Sequence, residues 1–376
     1  MINIFQPSVG EEELEIIGKV FQSNWLGKGE YVDKFEKQFA ENLKENREFF
    51  LSTTSCTEAI FLAGDLFDFK KGDEILVPSI SFPSVATSIL SKEATIVFCD
   101  VDSRSLNVRA EDFEKKITSN TKAIFITHYG GVSCEMDEII TLCKQHNIKV
   151  IEDSACAVQS FYKGKACGTI GDMGMWSFDA MKILTTGDGG MIYLQSPKLM
   201  EIAKEQLYYG LPLKQKSGLD NSDNGSINWW EFELNRSGRR AIMNNITGAI
   251  GTVQIKKLDT FIQRREEIYN RYYKELKGLK WLTLPPQLKE YMVSSYYFFW
   301  IQLEERDRLA KYLLDNEVYS TFRYWPLHKV DYLKKYNIDS YPNSDKIAAT
   351  TLNLPLHQSL SDDDVGKIIG LIKDFK

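Results

Sequence analysis

Between Glu74 and Leu194 the chain alternates short apolar runs with stretches of helical spacing. The runs are Ile75-Leu76-Val77, Thr95-Ile96-Val97-Phe98, Ala123-Ile124-Phe125-Ile126, Lys149-Val150-Ile151, Met173 to Phe178 and Met191-Ile192-Tyr193-Leu194. Apolar runs of this length separated by helices predict a largely parallel sheet wrapped by helices, an α/β architecture. Ahead of them, Leu14, Ile16, Ile17, Val20 and Phe21 fall at helical spacing and predict an amphipathic helix over Glu11 to Asn24. Residues 211–237 are polar and contain Gly, Asn and Ser, which predicts a long surface loop. A helix from about Asn244 to Lys277 follows. The strand Tyr296 to Ile301, the helix Arg306 to Asn316 and the closing helix Ser361 to Lys373 then predict a small α+β unit. The division expected is a large domain over 1–247 and a small one over 248–376.

In sheets of this kind ligands gather at the carboxyl ends of the strands. Those ends are Pro78-Ser79-Ile80-Ser81-Phe82, Asp100-Val101-Asp102, Thr127-His128-Tyr129-Gly130-Gly131, Glu152-Asp153-Ser154, and Ser177 with Lys182. All five are expected to face one pocket.

Composition narrows the function classes. The chain has 376 residues, 43% of them hydrophobic, enough for one large core and a smaller second one. Net charge is −6 and no basic run stands out, so the overall field gives no reason to expect a nucleic-acid partner. No apolar run approaches the roughly 20 residues a spanning helix needs, and the start lacks a signal pattern, so no membrane partner and a cytoplasmic location are expected. Cys56, Cys99, Cys134, Cys143, Cys156 and Cys167 form no C-x-x-C pair, and no clustered His accompanies them; reduced thiols and no metal site are expected.

The chemistry starts at Lys182, in Trp176-Ser177-Phe178-Asp179-Ala180-Met181-Lys182-Ile183-Leu184-Thr185-Thr186-Gly187-Asp188-Gly189-Gly190. A lysine between glycine-flanked turns and an upstream aspartate, Asp153, are the parts needed to hold pyridoxal phosphate (PLP) as an imine. Such a lysine must attack while neutral, and Met181, Ile183 and Leu184 supply apolar surroundings that lower its pKa; a solvated loop lysine reads the same locally. Asp153 can hydrogen-bond the pyridinium nitrogen, although a turn or cap role also suits it, and alternation puts it on the face opposite Glu152. Ser52-Thr53-Thr54-Ser55-Cys56-Thr57 precedes an apolar helix, Ala59 to Phe67, and can cradle a phosphate or simply cap the helix. Phe82 can stack on a pyridine ring, and Ser177 can donate to the same phosphate. His128 and His328 are candidate substrate contacts, with a structural role as the plainer reading.

In order along the chain, Gly72-Asp73-Glu74 to Pro78, Ser81-Phe82, His128-Tyr129-Gly130-Gly131 with Glu135-Met136-Asp137, Glu152-Asp153-Ser154-Ala155, Gly168-Thr169-Ile170-Gly171-Asp172, Ser177-Phe178 with Lys182, and Gly187-Asp188-Gly189-Gly190 resemble the DegT/StrS-type family of PLP-dependent sugar-nucleotide aminotransferases. Met243-Asn244-Asn245-Ile246, Pro326-Leu327-His328 and Leu354-Pro355-Leu356-His357 extend the match. Ser55-Cys56-Thr57 and the run from His128 to Asp137 are most similar to the dTDP-4-amino-4,6-dideoxygalactose transaminases of that family.

The resemblance implies an aspartate aminotransferase-type (fold type I) PLP domain with a small α+β C-terminal domain, working as a homodimer with its sites at the interface. It implies Lys182 as the cofactor-linking lysine, Asp153 as the pyridinium partner, Phe82 as the stacking aromatic, and Ser55, Cys56, Thr57 and Ser177 as the phosphate cradle. Cys156 stands where the family usually has Gln or His near the phenolic oxygen, Arg240 where many members carry an Asn that reaches the partner's phosphate, Ile242 where Arg is usual, and Asp188 where Glu is frequent. Arg240 is expected to take over the phosphate contact. Arg236, Arg239, Arg240, Arg323 and Lys329 are candidates for the entrance, with Arg323, beside Tyr324 and His328, as the first choice for a sugar contact. The implied reaction takes an amine from L-glutamate to a keto-deoxysugar nucleotide, dTDP-4-keto-6-deoxyglucose or its 3-keto isomer, for surface polysaccharide such as O-antigen. A sugar dehydratase and a non-catalytic regulator on the same fold are the alternatives. The family's dehydratases replace the lysine with histidine, and this chain keeps the lysine.

Overall fold

The structure, a computed structural model, describes residues 1–212, 230 and 233–375. Most of the stretch read as a surface loop, residues 213–229, 231 and 232, lies outside the described residues.

Seven strands form the central sheet: β1 (Phe50–Thr53), β2 (Glu74–Pro78), β3 (Thr95–Cys99), β4 (Thr121–Thr127), β5 (Lys149–Asp153), β8 (Met173–Ser177) and β9 (Gly190–Leu194), in the order β1-β9-β8-β5-β4-β2-β3. The run from β3 to β8 is parallel throughout, and β9 runs antiparallel to both of its neighbours, β8 and β1. The expected parallel α/β sheet is therefore present. Strand β1 is an addition; its four residues are all buried and too few to show a period.

Because successive side chains alternate between faces, Leu76, Val150 and Trp176 enter one core, and Ile75, Val77 and Ile151 the other. The first core is covered by α2 (Glu30–Asn42), α6 (Met136–His146) and part of α8 (Asn245–Leu276), the second by α3 (Cys56–Leu66), α4 (Pro83–Leu90) and α7 (Pro197–Gln206). A short helix, α5 (Ala110–Glu114), and a small sheet of β6 (Phe161–Tyr162), β7 (Lys165–Ala166) and β10 (Met292–Val293) add Phe113, Tyr162 and Ala166 to the first core.

A third core joins β11 (Phe299–Gln302) and β12 (Thr351–Leu354) with α9 (Arg306–Asp315), α11 (Asp362–Asp374) and the C-terminal half of α8. Helix α8 starts where Asn244 caps the amides of Ile246 and Thr247. It gives Ile255, Leu258 and Phe261 to the large core and Ile268, Tyr272 and Leu276 to the small one. The division expected after residue 247 falls in its first turn.

Helix α1 (Glu11–Gln22) forms as expected, but its inner face differs from the one read from hydrophobicity. Leu14 and Phe21 are exposed, whereas Val20 and the carboxylate of Glu13 are buried. The reason is polar: Glu13 accepts from the Gly10 amide, from Gln254 and from Lys257, the last two on α8, and this ties the two helices together. The Asp100-Val101-Asp102 strand end also departs from expectation. It does not face the pocket formed by the other four, because Asp100 accepts from the amides of Asn343 and Ser344 and so caps α10 (Pro342–Thr350).

Candidate active site

The remaining strand ends converge on one pocket of about 280 Å³, lined by Ser55, Cys56, Thr57, Phe82, Asp153, Cys156, Ser177, Lys182, Arg323 and Tyr324, with Thr127, Asp188 and Tyr297 among the others. Lys182 sits in the loop between β8 and β9. That loop is held at its feet, where Phe178 donates to the Gly189 carbonyl at 2.9 Å and Thr186 to the Phe178 carbonyl at 2.9 Å. The Lys182 amine is 3.6 Å from Cys156 Sγ and 5.0 Å from the centre of the Tyr297 ring.

Asp153 is buried at the end of β5, and Glu152, its neighbour, points to the other side of the sheet. Glu152 accepts from the amides of Gly168 (2.8 Å), Ile170 (2.7 Å) and Gly171 (2.5 Å) and contacts His128 Nε2 at 2.9 Å. The choice left open between the two carboxylates is thereby made by the backbone of the Gly168–Asp172 turn, which takes Glu152 for itself. Burial raises the Asp153 carboxyl above its ordinary range, against the opposing pull of the Ala155 amide and Lys182.

At Lys182 the balance runs against the expectation from apolar neighbours. Burial pulls the ammonium down, but Cys156, Tyr297, Tyr324 and Asp153 raise it, and together they outweigh burial. The missing information was in the fold, since none of these four groups is a chain neighbour of Lys182. Burial also raises the Cys156 thiol and the Tyr324 phenol, whose oxygen lies 3.7 Å from Cys156 Sγ.

The arrangement fits PLP. Ser55 caps α3 through the Glu58 amide, which leaves the Cys56 and Thr57 amides without intrahelical acceptors, the usual setting for a phosphate. Gly190 opens this end, because a Cβ there would sit 2.6 Å from the Cys56 nitrogen. Asp153 is available to the ring nitrogen, Lys182 to the aldehyde, and Phe82, about half exposed, to the ring face. Phe82 also packs edge-on against Tyr324, centroids 5.6 Å apart.

Comparison with known proteins agrees. The DegT/DnrJ/EryC1/StrS aminotransferase family model matches residues 7–373. The chain belongs to that family. It is a PLP-dependent aminotransferase, as the sequence resemblance implied. A Saccharopolyspora spinosa protein, dTDP-4-dehydro-2,3,6-trideoxy-D-glucose 4-aminotransferase, is 45% identical over 97% of this chain and 94% of its own. The GDP-perosamine synthase of Escherichia coli O157:H7 is 31% identical over 100% and 98%. The crystal structure of the aminotransferase TlmJ from Streptoalloteichus hindustanus superposes with a TM-score of 0.93 at 44% identity, over 99% of this chain and 98% of that one. The large PLP domain with a mostly parallel sheet and a smaller C-terminal unit is thus the family's fold.

Not every residue singled out in the sequence reaches the pocket of this chain. His128 is fully buried between Glu152 and the Cys134 amide, a structural place. His328 bonds Ser79 Oγ at 2.5 Å and Asp345 at 3.2 Å, outside the pocket. Among the entrance candidates, Arg236 pairs with Glu205, Arg239 with Glu58 and Asp65, and Lys329 with Asp345. Arg240 is exposed, its guanidinium 5.9 Å from the Tyr208 ring centre, and Ile242 packs into the second core. Arg323 does line the pocket. Its amide donates to Asn353, its carbonyl accepts from the Tyr129 hydroxyl, and among the described residues its guanidinium meets Met181 Sδ and the Phe5 ring.

Tyr297 is a pocket residue that the sequence reading missed. It lies in a stretch read as strand, yet β11 begins only at Phe299. Its amide donates to the Gly130 carbonyl at 3.0 Å, so the signal lay in the Gly130-Gly131 pair. A Cβ on Gly131 would land on Ser295 Oγ, which makes this glycine the point where residues 294–298 dock on the sheet.

Proposed function

We propose that this chain transfers the amino group of L-glutamate to C4 of a 4-keto-deoxysugar carried on dTDP, giving an aminosugar nucleotide for surface polysaccharide. The observation that carries the reading is the placement of Lys182, Asp153, Arg323 and Tyr324 around one pocket. The names of the S. spinosa and E. coli relatives support an aminated deoxysugar nucleotide, and the former supports C4 and dTDP over the 3-keto isomer.

Bound PLP supplies a ring that takes up the electron pair left when a C–H proton departs. The chain does the rest. The Cys56 and Thr57 amides with Ser55 and Ser177 hold the phosphate, Phe82 covers the ring, and Asp153 keeps a proton on the ring nitrogen. Lys182 is the residue that would link the cofactor, and its amine, when free, would move the proton to and from the reacting carbon in either half-reaction. Arg323, with no carboxylate partner among the described residues, offers its fork of donors to an anionic group at the entrance. Arg240 reaches the phosphate of a second copy, in a homodimer whose sites lie between subunits, and the enzyme works in the cytoplasm.

Incubating the purified chain with L-glutamate and a dTDP-4-keto-6-deoxysugar tests this. 2-Oxoglutarate and a 4-amino sugar nucleotide should appear in equal amounts. Loss of water from the sugar without uptake of nitrogen would point to a dehydratase and overturn the reading.

A further inference from the structure

Arg265, on α8, is 1% exposed, and among the described residues no acidic side chain pairs with it. Its partners are neutral: Gln358 Oε1 at 3.1 Å and the carbonyls of Tyr296, Tyr297 and Leu356 at 3.2, 3.4 and 2.9 Å. Burial pulls the guanidinium down only to about 10, so it remains charged at neutral pH. A buried charge without a counter-ion is costly, and carbonyl dipoles offset only part of that cost.

The place of this charge gives it a use. Tyr296 and Tyr297 lead into β11 and Leu356 follows β12, and because Phe299 pairs with Leu354 these segments lie at one end of the small sheet, which the guanidinium ties onto α8. Tyr297 is thereby held between its Gly130 contact, the guanidinium 5.8 Å from its ring centre, and Lys182 Nζ 5.0 Å from the same centre. The two cations lie no farther apart than those two distances together. The Tyr297 hydroxyl donates to the Met181 carbonyl, next to the lysine.

We propose that Arg265 is a positioning residue for the reaction: through Tyr297 it fixes the Lys182 nitrogen, and its unpaired charge favours the uncharged, proton-accepting form of that nitrogen. The proposal rests on Lys182 carrying the cofactor. The groups acting most strongly on Lys182 are Cys156, Tyr297, Tyr324 and Asp153, all favouring the charged form, and Cys56, Asp179, Asp188 and Arg323 line the same pocket. Arg265, whose guanidinium is 5.8 Å from the Tyr297 ring centre, opposes them. His357 beside it is pushed down to about 4, by burial first and by Arg265 second, and adds no charge at neutral pH.

The test is a pH titration of the visible absorption band of the full-length, PLP-loaded protein, read together with its melting temperature. Gln358→Glu gives Arg265 a carboxylate without removing the arginine, and Arg265→Met removes the charge. Each should move the midpoint upward by roughly half to one pH unit. Arg265→Lys keeps the charge and should hold the midpoint within a few tenths of a unit, whatever it does to melting. If Arg265→Met does not fold, Gln358→Glu against Gln358→Met decides, because only the former neutralises the guanidinium. A folded, coloured Gln358→Glu protein with an unmoved midpoint overturns the proposal, as do equal shifts in Arg265→Lys and Arg265→Met. A wild-type protein without a visible band would defeat the Lys182 reading and this proposal with it, whereas a band that stays put defeats the proposal alone.

Discussion

Glu152 and Asp153 leave the same strand in opposite directions, one into a ring of three backbone amides behind the sheet and the other into the pocket in front of it. Adjacent residues of a strand are obliged to diverge in this way. Two carboxylates that look interchangeable in the sequence therefore have separable effects when replaced.

Glu152→Ala removes the acceptor of the Gly168, Ile170 and Gly171 amides and of His128. Leaving these donors buried and unpaired should cost about 3 kcal/mol or more, seen as a lower midpoint in urea denaturation. Asp153→Asn should leave that midpoint within about 1 kcal/mol of wild type and lower kcat instead, by roughly 100-fold or more. Equal stability losses in the two variants would contradict the division of labour.

Lys182→Ala should abolish both half-reactions. Borohydride treatment of the PLP-loaded protein followed by peptide mass analysis should place the adduct on Lys182 in wild type, and no adduct should form on another lysine in the variant. Turnover in the variant should fall by roughly a thousandfold or more.

Gly131 has φ of +86°, and a Cβ there would meet Ser295 Oγ. Gly131→Ala should destabilise by about 2 kcal/mol or more, combining backbone strain with overpacking. Pairing it with Ser295→Gly should recover part of the loss, which a double-mutant cycle of melting temperatures would measure.

Glu13 carries a pH signature. Burial raises its carboxyl, but Lys257, Gln254 and the Gly10 amide lower it more, so its folded pKa lies below the ordinary glutamate value. A group lowered in this way contributes stability above the unfolded pKa, near 4.3, and loses it as pH falls through the folded value. Glu13→Gln should therefore be less stable than wild type at pH 7, by about 1–2 kcal/mol, and the gap should narrow as pH falls below the unfolded value. A gap that persists unchanged at pH 3 would count against this.

The sheet and the pocket position of Lys182 were legible because both depend on near neighbours in the chain: apolar runs bounded by turns, and a lysine between glycines. Strand ends then located Phe82, Asp153 and Ser177 with no knowledge of the packing. What the sequence withheld depends on distant partners. The inner face of α1 turned on a buried carboxylate that meets α8 more than 240 positions later. The protonation balance at Lys182 is set by Cys156, Tyr297, Tyr324 and Asp153, none of them nearby in the chain. His128, at a strand end, and His328, in the Pro326-Leu327-His328 run, were offered as substrate contacts beside a plainer structural reading, because neither context tells a ligand from the partners seen here, Glu152 and Ser79.

The reversal of β9 has a consequence for what this enzyme can tolerate. Ser177 and Gly190 face each other across the ladder, so the stretch that presents the amine is closed like a clasp between two side-by-side rungs. A residue added or removed there cannot be absorbed by sliding a strand, since a one-place slip would exchange the buried side chains of β9 between the two cores it separates. Drift in length between relatives should accordingly spare the twelve positions from 178 to 189 and accumulate in connections that bear no chemistry.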